Sequence, residues 1–273
     1  MKLLVQGDDY GFTKGVTYGI LDAIDNGVLR NTGFFTNMPI AAWAARQFKA
    51  KDRSRACLGI DFNIVSGPPA AEAGSVPSLV DGRGEFIRSG DRVKDPRFRT
   101  EEGRREMFPY DEVYRELRAQ YDRFVALMGR KPGYLHAHSL SHEHYNEAIA
   151  QLVKEEGVPY SHDIQEKYGF TSLFAKRPQG GMPKDPAAVK KVFDPMAQLN
   201  KTPLEDFMAC AGEFLRADYV LFAGHPGFVD GALMGLTTLS LERMRDHEAV
   251  TSPVLRQWVE DNGVELITYY DLK

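Results

Sequence analysis

Two adjacent carboxylates near the start of the chain are the first side chains that could do chemistry. Asp8 and Asp9 directly follow a short apolar run. Neighbouring carboxylates repel each other unless a positive charge lies between them, and a divalent cation supplies that charge. One carboxylate would then bind the cation while the other acts as a base. The alternative role is a helix N-cap, but Thr13 is itself a good cap, which would leave both acids free.

A histidine cluster in the middle of the chain is the second candidate. Four of the seven histidines fall within the nine residues 136–144. Because alternate residues of a strand face the same way, His136 and His138 could point together toward one site. Neutral imidazole is the commonest metal-binding side chain, so His138 is a candidate ligand. His142 could add to this site, or it could lie with His144 on the surface at a helix start.

A third candidate, His225, is followed directly by Pro226 and Gly227. These two residues predict a sharp turn that would hold the imidazole in place as a proton donor or acceptor. The alternative is a turn histidine without a chemical role. The chain has no dinucleotide fingerprint, phosphate loop or nucleophile elbow. Its two cysteines, Cys57 and Cys210, are interpreted as core residues.

Composition narrows the class of protein. The chain has 273 residues, 43% of them hydrophobic and 26% charged, with a net charge of −4. These are ordinary globular values, and no basic stripe predicts nucleic acid as a partner. No apolar run approaches the roughly 20 residues that a membrane helix needs. The start of the chain is too weakly apolar for a signal peptide, and two cysteines make no disulfide framework. We therefore expect a cytoplasmic protein with no membrane association.

The elements that must position these side chains alternate between strands and helices. Three joints, at Gly27, Gly157 and Gly263, follow a helix-like pattern and precede a valine, which predicts repeated helix-to-strand connections. The predicted strands cover residues 2–7, 30–37, 57–65, 133–139, 158–162, 219–224 and 265–270. Apolar residues at helical spacing predict helices around 113–128, 145–153 and 204–215. This order predicts an α/β fold with about seven strands in a mostly parallel, barrel-like sheet, whose strand ends would bring the candidates together.

Two stretches interrupt this alternation. Residues 66–108 are rich in Gly, Pro and charged residues, and residues 175–201 are similar but less marked. Long irregular segments inside a compact domain are often functional, so the first is interpreted as a structured lid rather than a disordered insertion. We expect residues 1–273 to form one catalytic barrel domain that carries both insertions.

The motifs, in this order, resemble those of the YdjC-like family, which includes the chitooligosaccharide deacetylases and is related more distantly to the polysaccharide deacetylases. The opening VQGDDYG at residues 5–11 looks like the family's NADDFG opening, and residues 224–230 contain its HPG motif. The similarity continues through Gly15, Gly19 and Ile20, residues 130–132, the histidine cluster and the tail at 239–272. It spans most of the chain and fails mainly in the two irregular stretches.

The resemblance implies a distorted (β/α) barrel and a metal-dependent hydrolase that removes the N-acetyl group from an amino sugar or an N-acetylated oligosaccharide. Family members bind one divalent ion through an Asp and two His. By this resemblance Asp9 and His138 are ligands, Asp8 is the general base, and His225 lies near the catalytic centre and could protonate the departing amine. A homodimer is an expectation that comes from the family alone.

Two positions depart from the family pattern. The third-strand motif GxHxxL reads GIDFNI at residues 59–64, so Asp61 stands where a His ligand is expected. Two carboxylates and one imidazole would shift the preference toward Mg²⁺ or Mn²⁺ without excluding Zn²⁺. His136 stands where the family usually has Asp, and it could return an imidazole to the site.

The departures leave three hypotheses. The first is the deacetylase itself. The second is a hydrolase of another small amide or ester on the same fold, motivated by Asp61 and His136. The third is a degenerate member that binds sugar without turnover, against which stands the retention of Asp8, Asp9, His138 and His225.

Overall fold

A parallel sheet forms the centre of the computed structural model, which describes residues 1–173 and 194–272. All of its strand pairings are parallel in these two ranges. The strands are β1 (Lys2–Tyr10), β2 (Asn31–Phe34), β3 (Cys57–Phe62), β4 (Leu135–Ala137), β5 (Thr171–Ser172), β6 (Tyr219–Gly224) and β7 (Glu265–Ile267).

The strand order is β4-β3-β2-β1-β6-β5, with β7 beside the first half of β1. The sheet curves into a half-barrel. It is open between β4 and β5, which do not pair with each other in the described residues. The expected distorted α/β barrel with about seven strands is confirmed. In such a sheet the carboxyl ends of all strands lie at one edge, where a site can be assembled from several of them.

Helices cover the outside of this sheet. They are α1 (Lys14–Asn26), α2 (Ala41–Lys49), α3 (Ser89–Arg92), α4 (Glu101–Met107), α5 (Tyr110–Met128), α6 (Glu143–Glu156), α7 (Ser161–Lys167), α8 (Pro203–Phe214), α9 (Gly231–Leu236), α10 (Glu242–Thr251) and α11 (Pro253–Asp261). The predicted helices correspond to α5, α6 and α8. In α5 the predicted apolar face is buried against the core, because its residues recur at helical spacing on one side. In the described parts of the chain, no helix is both long enough and apolar enough to cross a membrane.

The predicted strand at residues 158–162 is wrong. This segment reaches the sheet only through an isolated bridge between Leu135 and Tyr160. The Tyr160 carbonyl accepts a hydrogen bond from the Ile164 N–H, and Ser161 begins α7. A helix forms here instead of a longer strand, and its hydrogen bonds satisfy the backbone N–H and C=O groups that the strand would have paired in the sheet. The fifth strand lies further along the chain, at Thr171–Ser172.

The three glycine joints have two different causes. Gly157 and Gly263 have φ values of 66° and 57°, the left-handed conformation expected after a helix. Gly27 has φ −118° and is required for space, because a Cβ there would lie 2.4 Å from the Val250 carbonyl oxygen. The sequence pattern is the same in all three, but only two are left-handed caps.

The stretch 66–108 is built from short helices and turns that are fixed to the body of the protein. Val76, Leu79 and Phe86 are buried in the main hydrophobic cluster. The Glu116 carboxylate on α5 accepts hydrogen bonds from the backbone N–H groups of Ala70 and Ala71, at 2.9 Å each. Most of the second irregular stretch, 175–201, lies outside the described residues, and its last part contains the 3₁₀ helix Pro195–Asn200.

Candidate metal centre and active site

The carboxyl end of β1 carries the two adjacent acids into the open edge of the half-barrel. The pairing of β1 with β2 shifts between Gly7 and Tyr10, so an irregularity in the strand surrounds Asp8 and Asp9. Thr13 is the N-cap of α1, and its hydroxyl accepts the Val16 N–H at 3.2 Å. The helix is therefore capped without either acid, which leaves both carboxylates free for the site.

Unusual backbone conformations lie on both sides of the site. In the described ranges, the non-glycine residues with positive φ are Asp9, at 75°, and Ser139, at 64°. Such conformations cost about 1–3 kcal/mol each and cluster at functional sites. Asp9 is itself a candidate ligand, and Ser139 directly follows His138. The strained backbone therefore lies at one candidate ligand, Asp9, and directly after another, His138.

Three predicted ligands come together from three different strands. Asp61 lies in β3 and His138 follows β4, and both approach Asp9. His138 Nδ1 is 3.2 Å from Asp9 Oδ1 and 3.9 Å from Asp61 Oδ2. One ligand atom from each residue can be chosen so that all three lie within 4.8 Å of one another, a spacing compatible with one shared ion. Gly33 on β2 makes room for Asp61, since a Cβ at Gly33 would lie 2.6 Å from the Asp61 Cβ.

The hydrogen bonds of these acids are incomplete in a way that fits a cation. Asp9 and Asp61 are both fully buried, and among the residues that the structure describes the Oδ1 atom of each has no hydrogen-bond partner, although an ion-pair contact joins Asp9 Oδ1 to His138. An unsatisfied buried carboxylate oxygen is costly, and metal coordination is one of the few ways to offset that cost. Two hard oxygen donors and one imidazole form a donor set that holds a divalent cation. The residues present therefore fit the implied metal.

The two buried acids have opposite pKa shifts. Burial raises the pKa of Asp61 well above its ordinary value, and the negative charges of Asp8 and Asp9 raise it further. Burial by itself also raises the pKa of Asp9, but Arg243 and His138 outweigh it, and this pKa lies well below its ordinary value. Without a cation, the site thus contains one strongly ionised acid beside one that resists ionisation.

Asp8 lines the same cavity as Asp9. Its Oδ1 accepts a hydrogen bond from Gln6 Nε2 at 2.8 Å, and its Oδ2 lies 3.7 Å from His136 Nε2. The other ring nitrogen of His136 is 2.8 Å from Ser161 Oγ, which fixes the ring. Burial lowers the pKa of His136, so the neutral imidazole is favoured. One oxygen of Asp8 is held, while the other points toward the histidines.

His225 reaches the site from the end of β6. Its backbone N–H donates to Asp246 Oδ2 at 2.9 Å, and Lys201 Nζ donates to the same oxygen at 2.7 Å. Asp246 is 4% exposed and belongs to α10. The loop that carries His225 is thereby tied to a helix that packs against α1 and α8.

A cavity of about 580 Å³ opens above these groups. Asp8, Asp9, His136, His138 and His225 line it together with Arg243, and its walls come from residues 65–66, 88–91 and 236–239. A second cavity of about 450 Å³ adjoins it and shares four lining residues, Ser66, Arg88, Asp91 and Leu236. Arg88 connects the two walls, because its Nη2 donates to the Gly235 carbonyl at 2.6 Å. The irregular stretch therefore contributes directly to the space above the candidate site.

His142 lies elsewhere. It is the N-cap of α6, where its Nδ1 accepts the Tyr145 N–H at 3.2 Å, and its ring stacks on Phe108. It is 3% exposed, and burial lowers its pKa to about 3. It does not line the cavity above Asp9 in the described structure. Of the alternatives that the sequence left open for His142, the helix start is the one observed, although the ring is buried.

Two residues of the site are absent from the sequence-based candidates. Arg243 donates to Asp9 Oδ2 at 2.5 Å, and Asp246 holds the His225 backbone. Both are in α10, whose residues are mainly polar and charged. Charged side chains on a helix normally face solvent, so no local pattern distinguishes these two from their neighbours.

The loop that carries His225 also packs against α1, which yields a first testable prediction. A Cβ at Gly19 would lie 2.5 Å from the backbone nitrogen of Phe228 and 2.6 Å from the Gly227 Cα. Gly19→Ala must therefore displace this loop, and we expect a loss of about 1–3 kcal/mol in the free energy of unfolding. Denaturant unfolding measures it.

Gly212→Ala is the matched control, because a Cβ at this helical position meets no atom of the described residues within 4 Å. We expect the control to be as stable as the wild type or slightly more stable. Equal stability of Gly19→Ala and wild type would contradict the close packing of the loop on α1.

The comparisons with known proteins agree with this architecture. The sequence profile of the YdjC-like protein family matches residues 2–261. The chain is 30% identical to carbohydrate deacetylase 2 of Listeria innocua serovar 6a, over 100% of this chain and 99% of that protein. It is 29% identical to the chitooligosaccharide deacetylase of Klebsiella pneumoniae strain 342, over 99% of this chain and 98% of that protein.

A solved structure shares the fold. The crystal structure of a candidate cellobiose-phosphate cleavage protein from Enterococcus faecalis V583 superposes with a TM-score of 0.74. The superposition covers 99% of this chain and 98% of that one, at 21% sequence identity. At this identity the likeness establishes the fold alone.

Proposed function

The chain belongs to the YdjC-like family, and we propose that it hydrolyses the N-acetyl amide of an amino sugar with one divalent cation at its active site. One observation carries the proposal. Asp9, Asp61 and His138 lie together under a cavity, each acid with an unsatisfied buried oxygen, and Asp8 and His225 line the same cavity.

Asp9, Asp61 and His138 would hold the cation. A cation held there would supply Lewis-acid chemistry, polarising a carbonyl and lowering the pKa of a neighbouring water. Two carboxylates in the donor set favour the harder ions Mg²⁺ and Mn²⁺ over Zn²⁺, because carboxylate oxygen suits hard cations. The proposed donor set of two Asp and one His therefore differs from the one Asp and two His that the family resemblance implies, and so does the metal that it would prefer.

Asp8 is the proposed general base. Gln6 fixes one of its oxygens, which leaves Oδ2 on the side of His136 and the cavity. A base must lie within hydrogen-bond reach of the water whose proton it removes, and Asp8 is adjacent in sequence to a ligand of the proposed cation.

His225 is the proposed general acid. Asp8 takes one proton from water, and His225 gives one proton to the departing nitrogen. Together, the two side chains therefore gain one proton and lose one over the reaction. The amide C–N bond breaks, water supplies the new C–O bond, and the products are acetate and a free amino sugar. Because Asp246 fixes the backbone of His225, the imidazole is supported from a rigid helix rather than a free loop.

An oligosaccharide is the substrate that we propose. The relatives described above are a carbohydrate deacetylase and a chitooligosaccharide deacetylase. The cavity above Asp9 and its neighbour share four lining residues and therefore lie side by side along the irregular stretch, where a chain longer than one sugar would bind. Residues 66–108 would then help to select the sugar chain.

The test is acetate release from N-acetylglucosamine and its short oligomers. The protein would be freed of metal with a chelator and then assayed with Mg²⁺, Mn²⁺ or Zn²⁺ added back. We expect release to depend on added metal, with Mn²⁺ or Mg²⁺ more effective than Zn²⁺. No acetate from any N-acetylated sugar with any of the three metals would overturn the proposal.

Two further substrate classes belong in the same assay because of Asp61 and His136. Turnover of simple esters or cyclic amides, without turnover of N-acetyl sugars, would favour another hydrolase on this fold. Sugar binding without turnover of any of them would favour a degenerate member.

A further inference from the structure

Arg243 is an unusually buried arginine at the edge of the proposed metal centre. It is 2% exposed and belongs to α10. Its Nη2 donates to Asp9 Oδ2 at 2.5 Å, and its Nε donates to the Leu239 carbonyl at 3.0 Å. Its Nη1 makes no hydrogen bond in the described structure. Burying a guanidinium with an unpaired N–H donor destabilises the folded state, because the lost hydration is not fully replaced. A compensating role for Arg243 is therefore to be sought in the site.

Charge attraction does not explain why Arg243 lies beside a cation site. A fixed positive charge next to a ligand repels a dication and by itself weakens its binding. The number of charges nevertheless balances: Asp8, Asp9 and Asp61 carry three negative charges when ionised, and Arg243 with a divalent cation carries three positive ones. Arg243 is therefore compatible with the cation only if its contact with Asp9 contributes something other than attraction.

The two oxygens of Asp9 have different surroundings. Arg243 contacts Oδ2, while Oδ1 lies 3.2 Å from His138 Nδ1 and has no hydrogen-bond partner in the ranges 1–173 and 194–272. One side of the carboxylate is thus held and the other is presented to the space between the proposed ligands. Partners of this kind behind a metal ligand fix its orientation, and losing them costs about 10–100-fold in metal affinity.

We propose that Arg243 is a positioning residue of the metal centre, which holds Asp9 so that Oδ1 faces the cation. The inference rests on the proposed function for the presence of the metal, but it concerns metal binding rather than turnover. Through its bond to the Leu239 carbonyl, the same side chain connects Asp9 to the wall of the cavity. The orientation of the Asp9 carboxylate is thereby linked to the segment 236–239 that lines the cavity.

The test is the Kd of Mn²⁺, measured by calorimetry on the full chain without substrate. For Arg243→Met, which keeps much of the length and removes the donors and the charge, we expect a Kd about 10–100-fold higher than in the wild type. Arg243→Lys keeps the charge but has no planar pair of donors, so its Kd should lie between the two. It is also the variant to measure if Arg243→Met does not fold.

Arg53→Met is the matched control. Arg53 is another buried arginine, with its side chain 4% exposed and an ion pair to Asp25 at 2.8 Å, and it does not line the cavity above Asp9. We expect this variant to lower the Tm without changing the Kd of Mn²⁺. A general loss of stability would therefore be separated from a loss of ligand orientation.

The Kd of Mn²⁺ separates a positioning role of Arg243 from simple charge balance. If Arg243 only balances charge, its removal makes the acids more attractive to a dication, and a Kd equal to or lower than that of the wild type overturns the proposal. Absence of Mn²⁺ binding to the wild type also overturns it. Mn²⁺ binding that weakens in Arg243→Met supports the positioning role even if the wild type releases no acetate, a result that would count against the proposed function alone.

Discussion

We expect Asp8→Asn to lower kcat for the proposed acetate release by about 10²- to 10⁴-fold without loss of metal binding. Asn has nearly the same shape as Asp and can still accept the hydrogen bond from Gln6 Nε2, but it cannot take a proton. Because the proposed ligands are Asp9, Asp61 and His138, the variant retains the whole donor set. Steady-state kinetics with the preferred metal and elemental analysis of the purified variant measure the two halves of this prediction.

Asp22→Asn is the matched control for Asp8→Asn. Asp22 also lies beside a histidine, with its Oδ2 2.8 Å from His247 Nε2, but it does not line the cavity above Asp9. We expect this variant to keep its kcat. An unchanged kcat in Asp8→Asn would remove Asp8 from the mechanism, and loss of metal in that variant would make it a ligand instead of a base.

Asp61→Asn is expected to weaken metal binding by about 100-fold or more while stabilising the metal-free protein. The loss of a charged ligand should cost at least as much affinity as the loss of a partner behind one. In the absence of metal, burial raises the pKa of Asp61 well above its ordinary value, and the negative charges of Asp8 and Asp9 raise it further. A neutral amide removes this repulsion, so the metal-free variant should have the higher Tm.

The pH dependence of this stability difference has a definite sign. A buried acid with a raised pKa binds more protons in the folded state than in the unfolded state, so its contribution is favourable below the unfolded pKa of about 3.9 and is lost as pH rises through the folded value. Metal-free wild type should therefore lose stability relative to Asp61→Asn from about pH 4 upward. Thermal unfolding in chelator across this range, together with Mn²⁺ titration, measures both effects.

Asp163→Asn is the control for Asp61→Asn, since the side chain of Asp163 is 69% exposed. It should change neither the Kd of Mn²⁺ nor the Tm. If Asp61→Asn binds Mn²⁺ as tightly as the wild type, the cation does not use Asp61. The cation would then have fewer protein ligands than the three residues that the structure brings together.

The sequence predicts the strands that carry the chemistry well, because their local pattern and their place in the fold agree. The strand at 219–224 has the predicted bounds, and the predicted ligands Asp9, Asp61 and His138 come together at strand ends. A short apolar run followed by polar residues is what a buried parallel strand with a functional end requires. For these elements, nothing in the tertiary structure opposes the local preference.

The remainder depends on contacts that no local pattern reveals. Arg243 and Asp246 face the site because α10 packs beside α1 and α8, and a charged helix gives no sign of which charges are buried. Tyr160 lies in a segment with strand-like residues, yet only one bridge forms there before α7 begins. The helix cap at His142 likewise depends on Phe108, which comes from the irregular stretch.

Anomalous diffraction from crystals grown with Mn²⁺ is the direct test of a cation held by Asp9, Asp61 and His138. We expect a strong peak at coordination distance, about 2.0–2.6 Å, from a carboxylate oxygen of Asp9, a carboxylate oxygen of Asp61 and a ring nitrogen of His138. We also expect Asp9 Oδ1, rather than Oδ2, to be the coordinating oxygen, with Arg243 still on Oδ2. No peak among these three residues at a saturating Mn²⁺ concentration, or a peak held only by other side chains, would show that they do not form the metal site.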